Sequence, residues 1–244
     1  MSANVHCAPA RRQQGAVLLL LLAVIGLGGA TLLINTLLKG NWQAARERHS
    51  VAILGQAREA LVGFAIANGR LPRPAVSATD GSEAAAACAT EAACSGFLPW
   101  VTLGVEGADS WGKRLRYAVT PALCNAPVLA ATTVASKTVQ GRNSDGTLVY
   151  LAGQANCSVS SQCAPFVVLS QGRANFGTSE AGVAMPNLSA GNLDEAGNQQ
   201  ATAAFISRAA STDPATPGGE FDDLLAWIPL KTLFNRMNAA GKIY

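Results

Sequence analysis

Few side chains here could do chemistry. Both histidines, His6 and His49, come early in the chain, so nothing after residue 49 offers an imidazole as general base, triad partner or zinc ligand. Ser170 lies in VLSQG, which is not the G-x-S-x-G turn of an activated nucleophile. Ser170 and Ser207 could be activated only by a lysine such as Lys113, Lys137 or Lys231, and no spacing singles out a pair. An enzyme is not expected. Asp80, Asp109, Asp194, Glu195, Asp213, Asp222 and Asp223 supply the oxygens a hard cation such as calcium would need. No segment has the D-x-D-x-D-G spacing of a calcium loop. Asp222 and Asp223, adjacent on an expected strand, would point to opposite faces. Solvated loop acids are the plainer reading, so no cofactor is expected, with calcium the one ion to check.

The six cysteines carry more information. Cys7 precedes a long apolar run; Cys88, Cys94, Cys124, Cys157 and Cys163 follow it. Cys88/Cys94 and Cys157/Cys163 are each spaced i, i+6 in Ala- and Ser-rich segments. Zinc pairs sit closer together and come with further ligands, so two small disulfide loops in an oxidising compartment are the better reading. Connectivity does not follow from spacing. Cys124 is the candidate odd thiol, with Cys157 or Cys163 as alternative partners.

The element that dominates the sequence is the apolar run over residues 16–38, which carries no charge. About 20 helical residues cross a hydrocarbon core, so this run is long enough to span. Arg11 and Arg12 stand just before it and, by the positive-inside rule, keep the N-terminus cytoplasmic. Gly28-Gly29-Ala30 could serve as an export-signal cleavage site, but the apolar pattern continues beyond it, which argues for a retained helix. The net charge is +3; removing Arg11 and Arg12 leaves 3 − 2 = +1 for the rest. No basic stripe remains, and no nucleic-acid partner is expected.

Residues 41–68 contain no proline, and Ile53, Ala57, Ala60, Leu61 and Phe64 make one apolar stripe at helical spacing. Gly69, followed by Pro72 and Pro74, stops the helix. The sequence thus predicts one helix over residues 17–68, on the order of 75 Å long at 1.5 Å per residue. Alternation predicts strands over 114–120, 147–152, 166–170 and 221–228. GADSWG around Asp109 and Trp111 reads as the turn into the first of these, with Trp111 in the core. After Pro229, Leu230, Leu233, Phe234 and Met237 share a face of a C-terminal helix that Gly241 would cap. Residues 76–95 read as a loop or short helix, and residues 171–217 as a long surface excursion. The expected fold is α+β: a long N-terminal helix, half transmembrane and half amphipathic, packed on a small antiparallel sheet domain with a C-terminal helix.

A short basic leader ending in glycine, an apolar helix and an amphipathic continuation into a domain resemble the type IV pilins and type II secretion pseudopilins. QAREALVGFAIANGRLPRP, GFLPWVTLGVEGADSWGKRLRYAVTP, VVLSQGRANFG and EFDDLLAWIPLKTLFNRMNAAGKI look like a proteobacterial branch of pilin-like proteins. The resemblance implies a cytoplasmic leader (1–15), a transmembrane helix (16–38), its periplasmic continuation (39–70) and a periplasmic domain (71–244). It implies processing by a prepilin peptidase after Gly15, with methylation of Ala16, and residence in the bacterial inner membrane beside other pilin or pseudopilin subunits. The family usually has glutamate at the fifth mature residue; here it is Leu20. That absence implies a minor subunit; the family's tip subunit, with no subunit ahead of it, typically lacks this glutamate, and tip and internal positions both stay open. The competing expectation is a membrane-anchored periplasmic binding module that never assembles.

Overall fold

The structure is a computed structural model that describes residues 14–125 and 132–242, excepting the side chains of residues 14–17 and 28–41. Arg11, Arg12 and Cys7 lie outside the described residues. The chain divides into two compact units, Met1–Ala45 and Arg46–Tyr244. One helix, α1 (Gln14–Asn68), belongs to both.

In the first unit every described large apolar side chain from Leu18 to Leu27 is more than half exposed. In the second, α1 is a core element. Ile53, Leu54, Ala57, Leu61, Val62 and Ala65 are buried, while Ala60 and Phe64 sit at the flanks. The buried stripe is therefore rotated from the expected one, taking in Leu54, Val62 and Ala65 in place of Ala60 and Phe64. Gly69 ends the helix in the left-handed conformation (φ 73°), its N–H donating to the Ala65 carbonyl at 2.8 Å.

Four strands, β1 (Ser95–Phe97), β2 (Arg116–Val119), β5 (Phe166–Ser170) and β7 (Leu224–Trp227), form an antiparallel sheet in the order β1-β2-β5-β7. Side-chain alternation makes this the middle layer. Tyr117, Val119, Phe166 and Val168 join the core of α1, with Leu230, Leu233 and Met237 of the C-terminal helix α5 (Leu230–Ala239). Ala118 and Val167 instead pack with Val139, Ala152 and Phe205 of a second sheet. That sheet has the order β4-β3-β6, built from β3 (Thr138–Arg142), β4 (Leu148–Ala152) and β6 (Ala204–Ile206). Covered on both sides, β5 is buried at all five positions. Short helices α2 (Trp100–Leu103), α3 (Pro121–Asn125) and α4 (Leu193–Gln200) complete the domain.

The α+β class, the antiparallel pairing of the main sheet and the C-terminal helix agree with the sequence reading. Two features differ. The described residues form two sheets rather than one, and in the second β3 pairs with β6 in parallel. The stretch 171–217 is also no loose excursion, since it supplies α4, β6 and the buried Asn175, Asn192, Asp194, Glu195, Asn198 and Phe205. Its low hydrophobicity reflects burial through hydrogen bonds rather than apolar packing.

Candidate functional site

The first candidate surface is the N-terminal part of α1. Leu18, Leu19, Leu20, Leu21, Leu22, Val24, Ile25 and Leu27 are 55% to 70% exposed, on every side of the helix. A helix apolar all round is normally covered, by the core of a large protein or by a membrane. Leu20 is one of this set and is 67% exposed. Gly15 and Ala16 fall in the first turn of α1, with their side-chain surroundings outside the described residues. Among the described residues, one stretch is long and apolar enough to cross a membrane by length and composition, Trp42–Asn68. It carries Arg46, Glu47, Arg48, Arg58 and Glu59, and its apolar stripe is already buried against the domain. We therefore read this stretch as a core helix.

The second candidate is a buried polar hub at the end of the main sheet. Lys113 is 2% exposed, and its ammonium donates to the carbonyls of Asn175 (2.9 Å) and Gln171 (3.2 Å). Burial pulls its pKa down, while Asp222, Asp109, Asp223 and Glu195 pull it back up. Asp109 shapes the turn into β2: its Oδ1 accepts from the backbone N–H groups of Trp111 and Lys113, at 2.9 and 3.0 Å. Its Oδ2 accepts from Ser170 Oγ at 2.6 Å. The hydroxyl of Ser170 is thus bonded to a carboxylate. Lys113 donates to carbonyls instead, so these two side chains do not form a nucleophile–base pair. Trp111 is half-buried, with its indole N–H enclosed and without an acceptor among the described residues.

The carboxylates expected to lie apart are partly brought together. Glu195, Asp222 and Asp223 each place an oxygen within 4.8 Å of the others. The expectation that Asp222 and Asp223 point to opposite faces of a strand is corrected: β7 begins only at Leu224, so strand alternation does not govern them. Protein donors already occupy most of the cluster. Glu195 accepts from Asn175, Asn192 and the Asp222 backbone N–H. Asp223 accepts from Asn198, and Asp222 Oδ2 from the N–H groups of Arg173 and Ala174. Asp222 Oδ1 is buried without a donor among the described residues. Burial, more than any neighbour, raises the pKa of Asp222 and raises that of Asp223 well above the usual carboxylate range. Gly172 (φ 56°) lets the chain pass here, since a Cβ would meet Asp222 Oδ1 at 2.1 Å. The other acids are dispersed. Asp194 is ion-paired to Arg142 (2.6 Å) and Arg208 (2.8 Å), and Asp80 and Asp213 are exposed.

Among the described residues the cysteines form two disulfides, Cys88–Cys94 and Cys157–Cys163, each six residues apart, leaving Cys124 as a buried free thiol. Cys124 does not approach Cys157 or Cys163 as a bonding partner; its neighbours are the sulfurs of Cys88 at 3.4 Å and Cys94 at 3.8 Å. Sequence spacing could not show this, because Cys124 reaches the pair through α3. The polar hub was missed for a similar reason. Its members come from 109–113, 170–175, 192–198 and 222–223, and nothing in their local spacing marks them as neighbours.

Compared with known proteins, the chain matches no family model, no curated protein and no solved structure.

Proposed function

We propose that the protein is a minor pilin- or pseudopilin-like subunit, processed after Gly15 and assembled through α1 into a type IV pilus or type II secretion pseudopilus. The observation that carries this reading is α1 itself. An all-round exposed apolar stretch at Leu18–Leu27 and the buried core stripe from Ile53 to Ala65 belong to one uninterrupted helix. A simple anchor needs only the first, and a soluble domain needs only the second. Joining them lets one helix sit in lipid, then exchange lipid for the helices of like subunits while the domain stays folded.

In this reading residues 16–38 span the inner membrane, and Arg11 and Arg12 hold the leader in the cytoplasm. The domain then lies in the periplasm, an oxidising compartment in which the two disulfides persist. Leu20 offers no carboxylate to a neighbour's N-terminal ammonium. Burying that ammonium in an apolar environment without a partner is costly, which suits a subunit with none ahead of it. The work proposed is mechanical; it needs no cofactor and no catalytic residue. The partners are other pilin or pseudopilin subunits, the peptidase and membrane lipid.

The reading is tested by Gly15→Ala. The expected result is a chain that keeps its leader, stays in the membrane and is absent from sheared filaments. Normal processing of this variant contradicts the proposal. Normal membrane anchoring with no assembly of the wild type, in cells that build filaments, favours the anchored binding module instead.

A further inference from the structure

Three sulfurs meet in the core between α1 and the segment before β1. Cys88 is 7% exposed and Cys94 and Cys124 are fully buried. The Cys124 sulfur lies 3.4 Å from that of Cys88 and 3.8 Å from that of Cys94. We propose that Cys88, Cys94 and Cys124 form an internal thiol–disulfide exchange centre, in which Cys124 displaces Cys94 from Cys88.

The step is self-contained. The Cys124 thiol loses its proton to hydroxide, and a sulfur lone pair forms a bond to Cys88 Sγ. The Cys88–Cys94 bond breaks, and its electron pair leaves on Cys94 Sγ, which takes up a proton from water. One disulfide and one thiol exist before and after, so no external oxidant or reductant is used. The released thiol has an acceptor waiting, since Cys94 Sγ lies 3.0 Å from the Cys88 carbonyl oxygen.

Two features hold the exchange off in the folded protein. Attack requires the incoming sulfur on the extension of the S–S bond, which would place it about 2 Å farther from one sulfur than from the other. Cys124 is nearly equidistant and so sits beside the bond. The thiol is also kept protonated, as burial pushes its pKa up to about 11. Arg73, Arg70 and Lys137 oppose that rise only in part, because Glu83 pairs with both arginines and Glu91 with Lys137. Tyr117 from β2 also faces the thiol. A clamp fixes the alignment: Asn125, next to Cys124, donates to the Cys88 carbonyl and accepts from the Cys88 N–H. Loosening this clamp lets Cys124 swing into line. The swap transfers the covalent tie of Cys88 from the start of β1 to α3.

The test uses the full chain carrying Cys7→Ser in detergent, which leaves Cys124 as the one cysteine outside the two disulfides. The protein is held without reductant at pH 7 and pH 10, quenched in acid, alkylated and digested, and its linked peptides are read by mass spectrometry. At pH 10 the expected products are Cys88–Cys124 linkage and alkylated Cys94, forming at least tenfold faster than at pH 7 and at a rate independent of protein concentration. Asn125→Ala accelerates the exchange at both pH values, and Cys124→Ser abolishes it. Retention of Cys88–Cys94 alone at pH 10 overturns the proposal. So does scrambling that draws in Cys157 and Cys163, because the thiol would then act through the unfolded chain.

Discussion

Lys113 is a buried cation whose charge acts on Asp109, Glu195, Asp222 and Asp223, Arg116 acts on Asp223 as well, and the acids of the hub outnumber these two. Burial of Asp222 and Asp223, only partly offset by these cations, fixes a pH dependence. A carboxyl whose pKa is higher in the fold than in the unfolded chain binds its proton more tightly when folded. The stability it confers is full below the unfolded value of about 4 and is lost as pH rises through the folded value. Asp222 and Asp223 have this sign. Glu83, held below the usual range by its bonds to Arg70 and Arg73 despite burial, has the opposite sign and loses its contribution only as pH falls below about 4. Asp223→Asn keeps an acceptor for Asn198 without a charge. Its stability relative to wild type should therefore grow as pH rises from 4 to 8, measured as the shift in urea midpoint at each pH. A shift that does not change with pH contradicts the assignment. Lys113→Met removes the cation that acts on all four acids and should steepen the loss of the Asp222 and Asp223 contribution over the same range. At this scale the sequence was legible only where neighbours are local, as in the Asp109 turn. The i, i+6 cysteine spacing favoured two short loops, but the position of Cys124 beside one of them depends on how α3 packs.

At the scale of elements, periodicity revealed what apolar burial builds. The strands β2, β4, β5 and β7 and the helix α5 are all visible as alternation or as a 3.6-residue stripe, within a few residues of their ends. β3 and β6 were not, for physical reasons. TVQGR carries a glycine and three long or polar residues, with Leu151 of β4 packing over Gly141, and AFI is too short to show a period. α4, LDEAGNQQ, buries Asp194, Glu195 and Asn198, so its inward face is polar and gives no apolar signal. The apolar stripe of α1 was seen but placed slightly off, on Ala60 and Phe64 rather than Leu54, Val62 and Ala65. Leu61 is the test of that packing. It is fully buried against the main sheet, and Leu61→Ala should cost about 2–5 kcal/mol, the range for leucine truncation in a close-packed core. Tryptophan fluorescence in urea reads this directly, and a loss below about 1 kcal/mol would mean that α1 is not part of the core.

For the whole molecule, what matters is that a single helix meets two different surroundings. Its second part is explained by the domain, whose sheet it covers. Its first part, exposed and apolar at every described position from Leu18 to Leu27, is explained by nothing within its own unit. In the proposed function, lipid before assembly and neighbouring helices after it would cover that surface, and removal of the leader ending in Gly15 would mark the passage from one to the other. The most direct measurement is the intact mass and N-terminal peptide of the protein purified from membranes of a cell that carries a prepilin peptidase. Cleavage after Gly15 predicts a chain beginning at Ala16 with a methylated amino group. A chain that still begins at Met1, or one cut to begin at Thr31, contradicts it.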